Sequence, residues 1–467
     1  MTTEEESGHR PTLSQPIHTP RLVVAFTLAA ALAGCASYEP APVDAAEILA
    51  DLRAGRFASP SGEAPADAEG ADLEQLAAFA VTHNPALRAI RARIGVGEAL
   101  LVEAGLLANP TIGWDGMDAL ASQIVEGTTS SVDFLAGLGV SFPLPRPGEL
   151  DAKEGAARWR VEQARRQVAL GEWRLARDVF VTCEELREVQ RILEQNEELL
   201  RVAESTREYF NRARSAGAAT AMQANLAAGE LLAIRAERVR LESRLRDARQ
   251  RLNGLLGLPP SADFPILAAQ AREPEDELEL GPEAIVDRSL TLRPDLAELM
   301  AAYQAAEEEV RLEVKRQFPQ ISIGTGIWLV PGFFTRFNRP AIATAVARRE
   351  ALRHEFEAQV HEVRREIHDA HAAFEEARRL LDFLESELLP NAEKGLRLAG
   401  TAFEAGEVTL IEILTMQRSL VDARTRTTEA RAEFRRRLWQ LRAAGGLLLT
   451  TTKDPASPVS EREVQER

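Results

Sequence analysis

The stretch Phe403–Leu441, FEAGEVTLIEILTMQRSLVDARTRTTEARAEFRRRLWQL, has a second copy in the chain, and this duplication narrows the fold more than any other feature. Ala405-Gly406, Thr409 and Arg424 repeat Ala216-Gly217, Thr220 and Arg235 at one constant offset. Each copy reads as a long helix, a glycine turn and a long helix back. Positions 413, 420, 427, 434 and 441 are Ile, Leu, Thr, Phe and Leu, the seven-residue step of a coiled coil. From Glu149 to about Arg214 the helical pattern is nearly unbroken. At ~1.5 Å per residue that is a rod of roughly 100 Å, which needs helical partners along its length.

A further duplication precedes each rod. Pro85, Leu87, Pro110 and Ile112 return as Pro294, Leu296, Pro319 and Ile321, again at one constant offset. The repeating unit is therefore helix, β-hairpin, long helix, turn, long helix. In the first copy Thr111–Trp114 and Val132–Phe142 favour strand, with Pro143, Pro145 and Pro147 as the stop. The offset ahead of the hairpins is larger than the offset between the rods, so the second hairpin is shorter by the difference. Gln320–Leu329 is expected to copy the first strand, which leaves Val330–Arg339 for a loop and a return strand of a few residues or none.

The predicted map has a signal peptide at 1–34, a flexible spacer at 35–71 and a first repeat at 72–257. That repeat has strands at about 110–143 and a helical hairpin at about 149–256. A connector follows at 258–281, then a second repeat at 282–445, with strands at about 320–338 and a helical hairpin at about 340–445. Residues 446–467 are expected to be a disordered tail. Ala, Leu, Glu and Arg dominate and aromatics make up 5%, the composition of long helices, so the fold class is mainly α with a small β part.

A net charge of −16 excludes a general nucleic-acid binder, which needs basic patches. Leu22–Cys35 is the only strongly apolar run and is too short to span a bilayer, which takes ~20 residues. It fits the apolar core of a secretory signal. Leu32-Ala33-Gly34-Cys35 also resembles the bacterial lipobox, which implies cleavage before Cys35 and palmitate or similar lipid on the processed cysteine. An ordinary signal peptide with a chance cysteine is the alternative. Glu4, Glu5 and Glu6 sit where such leaders carry positive charge, which points to a start downstream of Met1. Beyond Cys35 only Cys183 remains, so no internal disulfide and no zinc spacing is expected. Cys183 falls in a helix and reads as a small packed hydrophobe.

Four short strands cannot close a membrane barrel, which needs about eight or more. An open sheet in lipid leaves backbone groups unpaired, so hairpins that enter a bilayer must pool strands from several chains. The rods must then share one bundle, and a ring of rods encloses a channel.

Tyr209-Phe210 before Gly217, and Phe403–Leu414 with Gln417-Arg418, resemble the tip signature of the outer membrane efflux protein (TolC) family. Asn84-Pro85-Ala86-Leu87 and Arg293-Pro294-Asp295-Leu296 are similar to that family's helix starts. The likeness covers roughly residues 72–445 and includes the duplication. The lipobox and Phe337-Asn338-Arg339 resemble its heavy-metal and drug efflux lipoproteins. This resemblance implies a homotrimer: a trimeric α-helical barrel continued into a shared 12-stranded outer-membrane β-barrel. It further implies a lipid anchor, a large periplasmic part, a periplasmic adaptor at the tip, and an inner-membrane pump of the RND type or an ABC transporter. The function implied is a passive exit duct for metal cations or drugs, with no catalysis and no cofactor. The shortened second hairpin departs from the family pattern and would leave such a barrel low on one side.

Gly217 and Gly406 are expected to turn the chain at the tips. Glu404, Glu407 and Glu412 cluster at the second tip and would form a ring of like charge in a trimer; a solvated helix start is the plainer reading. Ala216 and Ala218 at the first tip, and Val408 and Leu410 at the second, are small or apolar and suit either adaptor contact or packing between neighbouring hairpins. His354, His361, His368 and His371 share a helix at steps of seven, seven and three, which suits a metal stripe or a polar coiled-coil face. Trp114, Trp328, Phe333, Phe334 and Phe337 lie in or beside the hairpins, as an interfacial belt or as hairpin packing. Two other functions compete with the efflux duct: a lipid-anchored coiled-coil tether without a pore, and the outer-membrane duct of a type I secretion system. No phosphate loop, nucleophile motif or paired catalytic acids argue for an enzyme.

Overall fold

Asp72 starts the first repeat by accepting the Gln75 backbone N–H at 2.7 Å while the Gln75 side chain accepts the Asp72 N–H at 2.9 Å. The computed structural model describes residues 38–53, 71–114, 138–264, 281–324, 327–330, 336–405 and 407–448. The chain divides into two units at Asp51. In the first, Asp44 caps helix α1 (Ala45–Arg53), a stretch expected to be flexible spacer. Cys35 lies outside the described residues.

The second unit holds both repeats. The first comprises α2 (Leu73–His83), α3 (Pro85–Ala104), β1 (Thr111–Trp114), β2 (Leu138–Pro143), α4 (Glu149–Ser215) and α5 (Ala221–Leu256). The second comprises α6 (Pro282–Leu292), α7 (Pro294–Lys315), β3 (Gln320–Gly324), β4 (Ile327–Val330) and α8 (Arg339–Phe383), a π turn at Leu384–Leu388, α9 (Leu389–Glu404) and α10 (Leu410–Ala444). Among the described residues, no helix is long and apolar enough to cross a membrane.

Two apolar cores repeat the same plan. Leu76 of α2, Leu87 of α3, Val179 and Leu186 of α4 and Leu252 of α5 build the first. Ile285 of α6, Leu296 of α7, Ile367 and Phe374 of α8 and Leu441 of α10 build the second. Cys183 is fully buried in the first core, where loss of hydration pushes its thiol up to about 12 and leaves it inert.

The break between the short helices is clamped twice, by different chemistry. In the first repeat Asn84 does both jobs: its Nδ2 donates to the Leu255 carbonyl at 2.9 Å and its Oδ1 accepts the Leu87 N–H at 3.1 Å. In the second repeat two residues divide the work. Arg293 Nη1 donates to the Ala444 carbonyl at 2.8 Å, and Asp295 Oδ1 accepts the Leu296 N–H at 2.9 Å. Arg293 also grips Asp295 through Nε and Nη2, at 3.0 and 2.7 Å, and stacks over Trp173 of α4. The return helices end alike: Gly257 and Gly446, equivalent positions in the two repeats, have φ of +72° and +77°. A Cβ there would strike His83 and Leu292 respectively, so both the left-handed backbone and the close approach require glycine.

Four expectations are corrected. Gln320–Leu329 is not one strand: the chain reverses between Gly324 and Ile327, so β4 is a four-residue return strand that contains Trp328. A two-strand hairpin fits because the lost residues came from the loop. Second, the disordered tail begins too early at 446. The Leu447 N–H closes the helix cap on the Arg442 carbonyl at 2.8 Å, and Leu448 packs on the first core. Third, the outgoing rods do not keep one offset. Buried Leu186 and Val189 correspond to Phe374 and Ala377, one position short of the offset that relates the two tips. The extra residue is absorbed in the π turn, where the Leu389 N–H reaches back five residues to Leu384. Fourth, the second rod is consequently two α-helices rather than one. Val132–Gly137 of the expected second strand lies outside the described residues.

The four strands form one antiparallel sheet in the order β1-β2-β3-β4, with Thr111 opposite Ser141, Phe142 opposite Ile323 and Ile321 opposite Leu329. Pro143, expected to stop β2, is its last residue. Arg336, Phe337 and Asn338 then adopt positive φ in succession, and Asn338 Nδ2 anchors that turn on Glu313 at 2.7 Å.

Burial alone would raise the Asp295 pKa, but the hydrogen bonds and charge of Arg293 outweigh it and hold the carboxyl below its usual range. That contribution to stability is present above the ordinary Asp range of ~3.9 and is lost as pH falls through the lowered folded value. Arg293→Leu strands the Asp295 charge and should cost about 3–5 kcal/mol in denaturant unfolding followed by helical circular dichroism. The double change Arg293→Asn with Asp295→Ala copies the first repeat and should recover more than half of the loss.

Candidate functional site at the hairpin tips

The α4–α5 and α9–α10 hairpins close by the same hydrogen bonds. The Ala218 N–H donates to Ala213 O at 2.8 Å, and the Glu407 N–H to Ala402 O at 2.8 Å. Thr220 caps α5 and Thr409 caps α10, each in a reciprocal box with the residue three places on. Gln223 serves in the first box, its Oε1 accepting the Thr220 N–H at 2.9 Å. Glu412 serves in the second, its carboxylate accepting the Thr409 N–H at 2.6 Å and the hydroxyl at 2.9 Å. Those hydrogen bonds, the backbone one foremost, hold its pKa below the usual range. Because Gln223 closes its box without charge, the anion at Glu412 is an addition to the cap.

Ala216, Gly217 and Ala218 are exposed, with Gly217 at φ +75° in open space. Glu407 is exposed and Val408 half-buried. Gly406 lies outside the described residues; Glu404 ends α9 and Leu410 starts α10, and their side chains lie outside the described set. Just inside the first tip, Phe210 is buried against Ala224 and Ala227, so the signature aromatic clamps α4 to α5. Tyr209 beside it is exposed and meets the Phe210 ring edge-on.

The histidines do not converge. His354 contacts Glu357 on its own helix at 3.2 Å, and His368 contacts Glu283 of α6 at 3.2 Å. Among the described residues, no cluster that could hold a metal ion is present. Phe337 is exposed in the left-handed turn; Phe333 and Phe334 lie outside the described residues, as do the side chains of Trp114 and Trp328.

The charged ties between the two hairpins were not read from the sequence. Nearest the tips, Arg418 of α10 pairs with Glu230 of α5. Deeper in, Glu184 and Glu188 of α4 are buried, at 1% and 7% exposure, among arginines of their own and neighbouring helices, with Arg187 of α4 meeting Glu184 at 3.1 Å. Arg436 of α10 and Arg244 of α5 both reach Glu188, and Arg435 reaches Glu184 at 3.8 Å. Burial separates the two kinds of tie. A buried carboxylate that loses its partners is strongly penalised, whereas a pair with one largely exposed member, as Arg418 is at 67%, contributes less. Arg418 sits in the quoted tip signature, but its partner belongs to the other repeat and no local pattern links them.

Comparison with known proteins places this geometry. A family model described as "Outer membrane efflux protein" matches residues 77–258 and 332–447. The pyoverdine export outer membrane protein OpmQ of Pseudomonas aeruginosa is 26% identical over 468 residues, covering 89% of this chain and 93% of that protein. The solved structure of outer membrane protein VceC from Vibrio cholerae is similar with a TM-score of 0.63 at 16% identity, covering 80% of this chain and 96% of that one. The Campylobacter jejuni CmeC outer membrane channel is similar with a TM-score of 0.64 at 11% identity, covering 90% and 95%.

The inner tie should anchor the hairpins and the outer one should be easily undone. Glu188→Gln is expected to cost about 3 kcal/mol in denaturant unfolding. Arg418→Ala should cost less than about 1 kcal/mol. Equal losses would show that the two ties are not graded in this way.

Proposed function

Because this chain belongs to the outer membrane efflux protein family, we propose that three copies assemble into one duct that crosses the outer membrane and extends into the periplasm. The observation that carries the reading is the face of the sheet. Opposed residues in an antiparallel ladder share a face. Phe142, Ile321, Ile323, Ile327 and Leu329 therefore lie on one side, and all are exposed, Ile327 at 80%. Such an apolar face suits lipid, with the opposite face turned to the lumen. Among the described residues, strands β1 and β4 end the sheet with unpaired edges, which lipid does not tolerate. Neighbouring copies supply the missing partners, four strands from each of three chains.

In this assembly the helical hairpins line the periplasmic conduit and their tips meet a periplasmic adaptor. An inner-membrane pump, of the RND or the ABC type, supplies the energy, and the chain itself catalyses nothing. Cys35 carries the lipid anchor. Glu407 and Glu412 add negative charge at the mouth and favour cations. OpmQ serves pyoverdine export, which adds cargo of that kind to the metal cations and drugs expected from the sequence. The tether reading leaves the apolar sheet face without a use.

Ile327→Arg places a charge on the lipid face and should cost about 2–4 kcal/mol if it lies near the bilayer midplane, depleting the heat-modifiable trimer in outer-membrane fractions. A wild-type chain that stays monomeric and soluble in the periplasm would overturn the duct. Changing Glu407 and Glu412 together to Gln should lower cation preference in planar-bilayer conductance. Unchanged selectivity would remove the tip carboxylates from the mechanism and leave the duct intact.

A further inference from the structure

Inward from the tips, α4, α5 and α10 enclose a cavity of about 400 Å³, within the size range of small-molecule sites. Leu199, Leu241 and Val421 give it apolar walls from all three helices. Its polar lining is one-sided. The two guanidiniums present are committed, Arg418 to Glu230 and Arg244 to Glu188. Of the carboxylates, Glu237 faces Arg240 and Asp422 faces Arg426. Glu429 makes no ion pair or hydrogen bond among the described residues. Burial, and then the negative charge of Glu188, push its pKa up, against the opposing pull of Arg244 and Arg426.

Two neutral acceptors of α4 also line the cavity. Gln195 donates its amide to Thr428 Oγ1 at 2.9 Å, and Asn196 donates to the Ile234 carbonyl at 3.4 Å. The carbonyl oxygen of each is buried with no partner. Thr428 is the neighbour of Glu429, so acceptors and acid lie close together. A wall that offers acceptors and negative charge, with its guanidiniums already paired, selects a guest that brings both donors and positive charge.

We propose that this cavity binds an amphipathic organic cation. Its apolar body lies between Leu199, Leu241 and Val421, its N–H groups meet Gln195 and Asn196, and its charge faces Glu429. Such a guest touches both helical hairpins and stiffens the seam between them. The site is separate from the tip carboxylates, and its occupancy is measured without any transport. A failure here therefore leaves the duct standing, and a failed duct leaves this site testable.

The test uses the full chain purified in detergent, with ethidium as the probe and a detergent-only blank. Fluorescence titration should show saturable binding with one site per chain. Glu429→Gln, which removes the charge without changing shape, should weaken binding at least tenfold. Ala233→Phe fills the cavity from its exposed rim and should abolish binding, with helical circular dichroism confirming the fold. The anion 1-anilinonaphthalene-8-sulfonate should not displace ethidium. Absence of saturable binding, or affinity unchanged in both variants, would overturn the proposal.

Discussion

Most helical stability in a protein comes from packing against neighbours, and α4, at 67 residues, needs that packing along a great length. Every large feature of the second unit follows from supplying it with neighbours. The α3 and α7 helices cover its first part, α5 runs back along it, and α10 packs on it from the other repeat. Residues are buried along its whole length, from Ala152 to Phe210, and they include Glu184 and Glu188 as well as apolar side chains. Two carboxylates accept burial on this helix because arginines meet them there: Arg187 of α4 and Arg435 of α10 at Glu184, Arg244 of α5 and Arg436 of α10 at Glu188.

The two repeats show how one geometry is held by different chemistry. One asparagine clamps the first helix break, and an arginine–aspartate pair clamps the second. The pair makes more bonds but buries charge, so its strength depends on both members being present. Trp173 stacks on Arg293, which ties the second clamp to the first repeat. The helical hairpins differ as well. An extra residue in the second outgoing rod is taken up by a π turn, with Pro390 just after it, while α4 runs straight through the corresponding region. That asymmetry gives the second hairpin a break in its hydrogen-bond ladder that the first lacks.

At the opposite end from the tips, the sheet inverts the usual rule of burial. Its larger described apolar side chains face outward, and its two edges are open among the described residues. In water this would be an aggregation hazard; in a bilayer with sister subunits both features become requirements. The same chain thus treats apolar surface in two ways: helical seams closed within one copy, and a sheet that, in the proposed assembly, is completed between copies.

Much of this was legible in the amino-acid order. The duplication, the glycine turn at Gly217 and the Asn84 and Arg293 breaks are local patterns, and local patterns report backbone preference directly. The long helix from Glu149 came from periodicity alone, because helix period acts within a few residues. What tertiary structure alone decided were the relations between distant segments: Arg418 with Glu230, Arg436 with Glu188, and the cavity beside Glu429. Each depends on which helix faces which, and sequence distance carries no record of that. The π turn and the reversal before Ile327 belong to the same class. Both are places where an insertion or a deletion was absorbed, and only packing against a fixed partner reveals the residue at which the chain gave way.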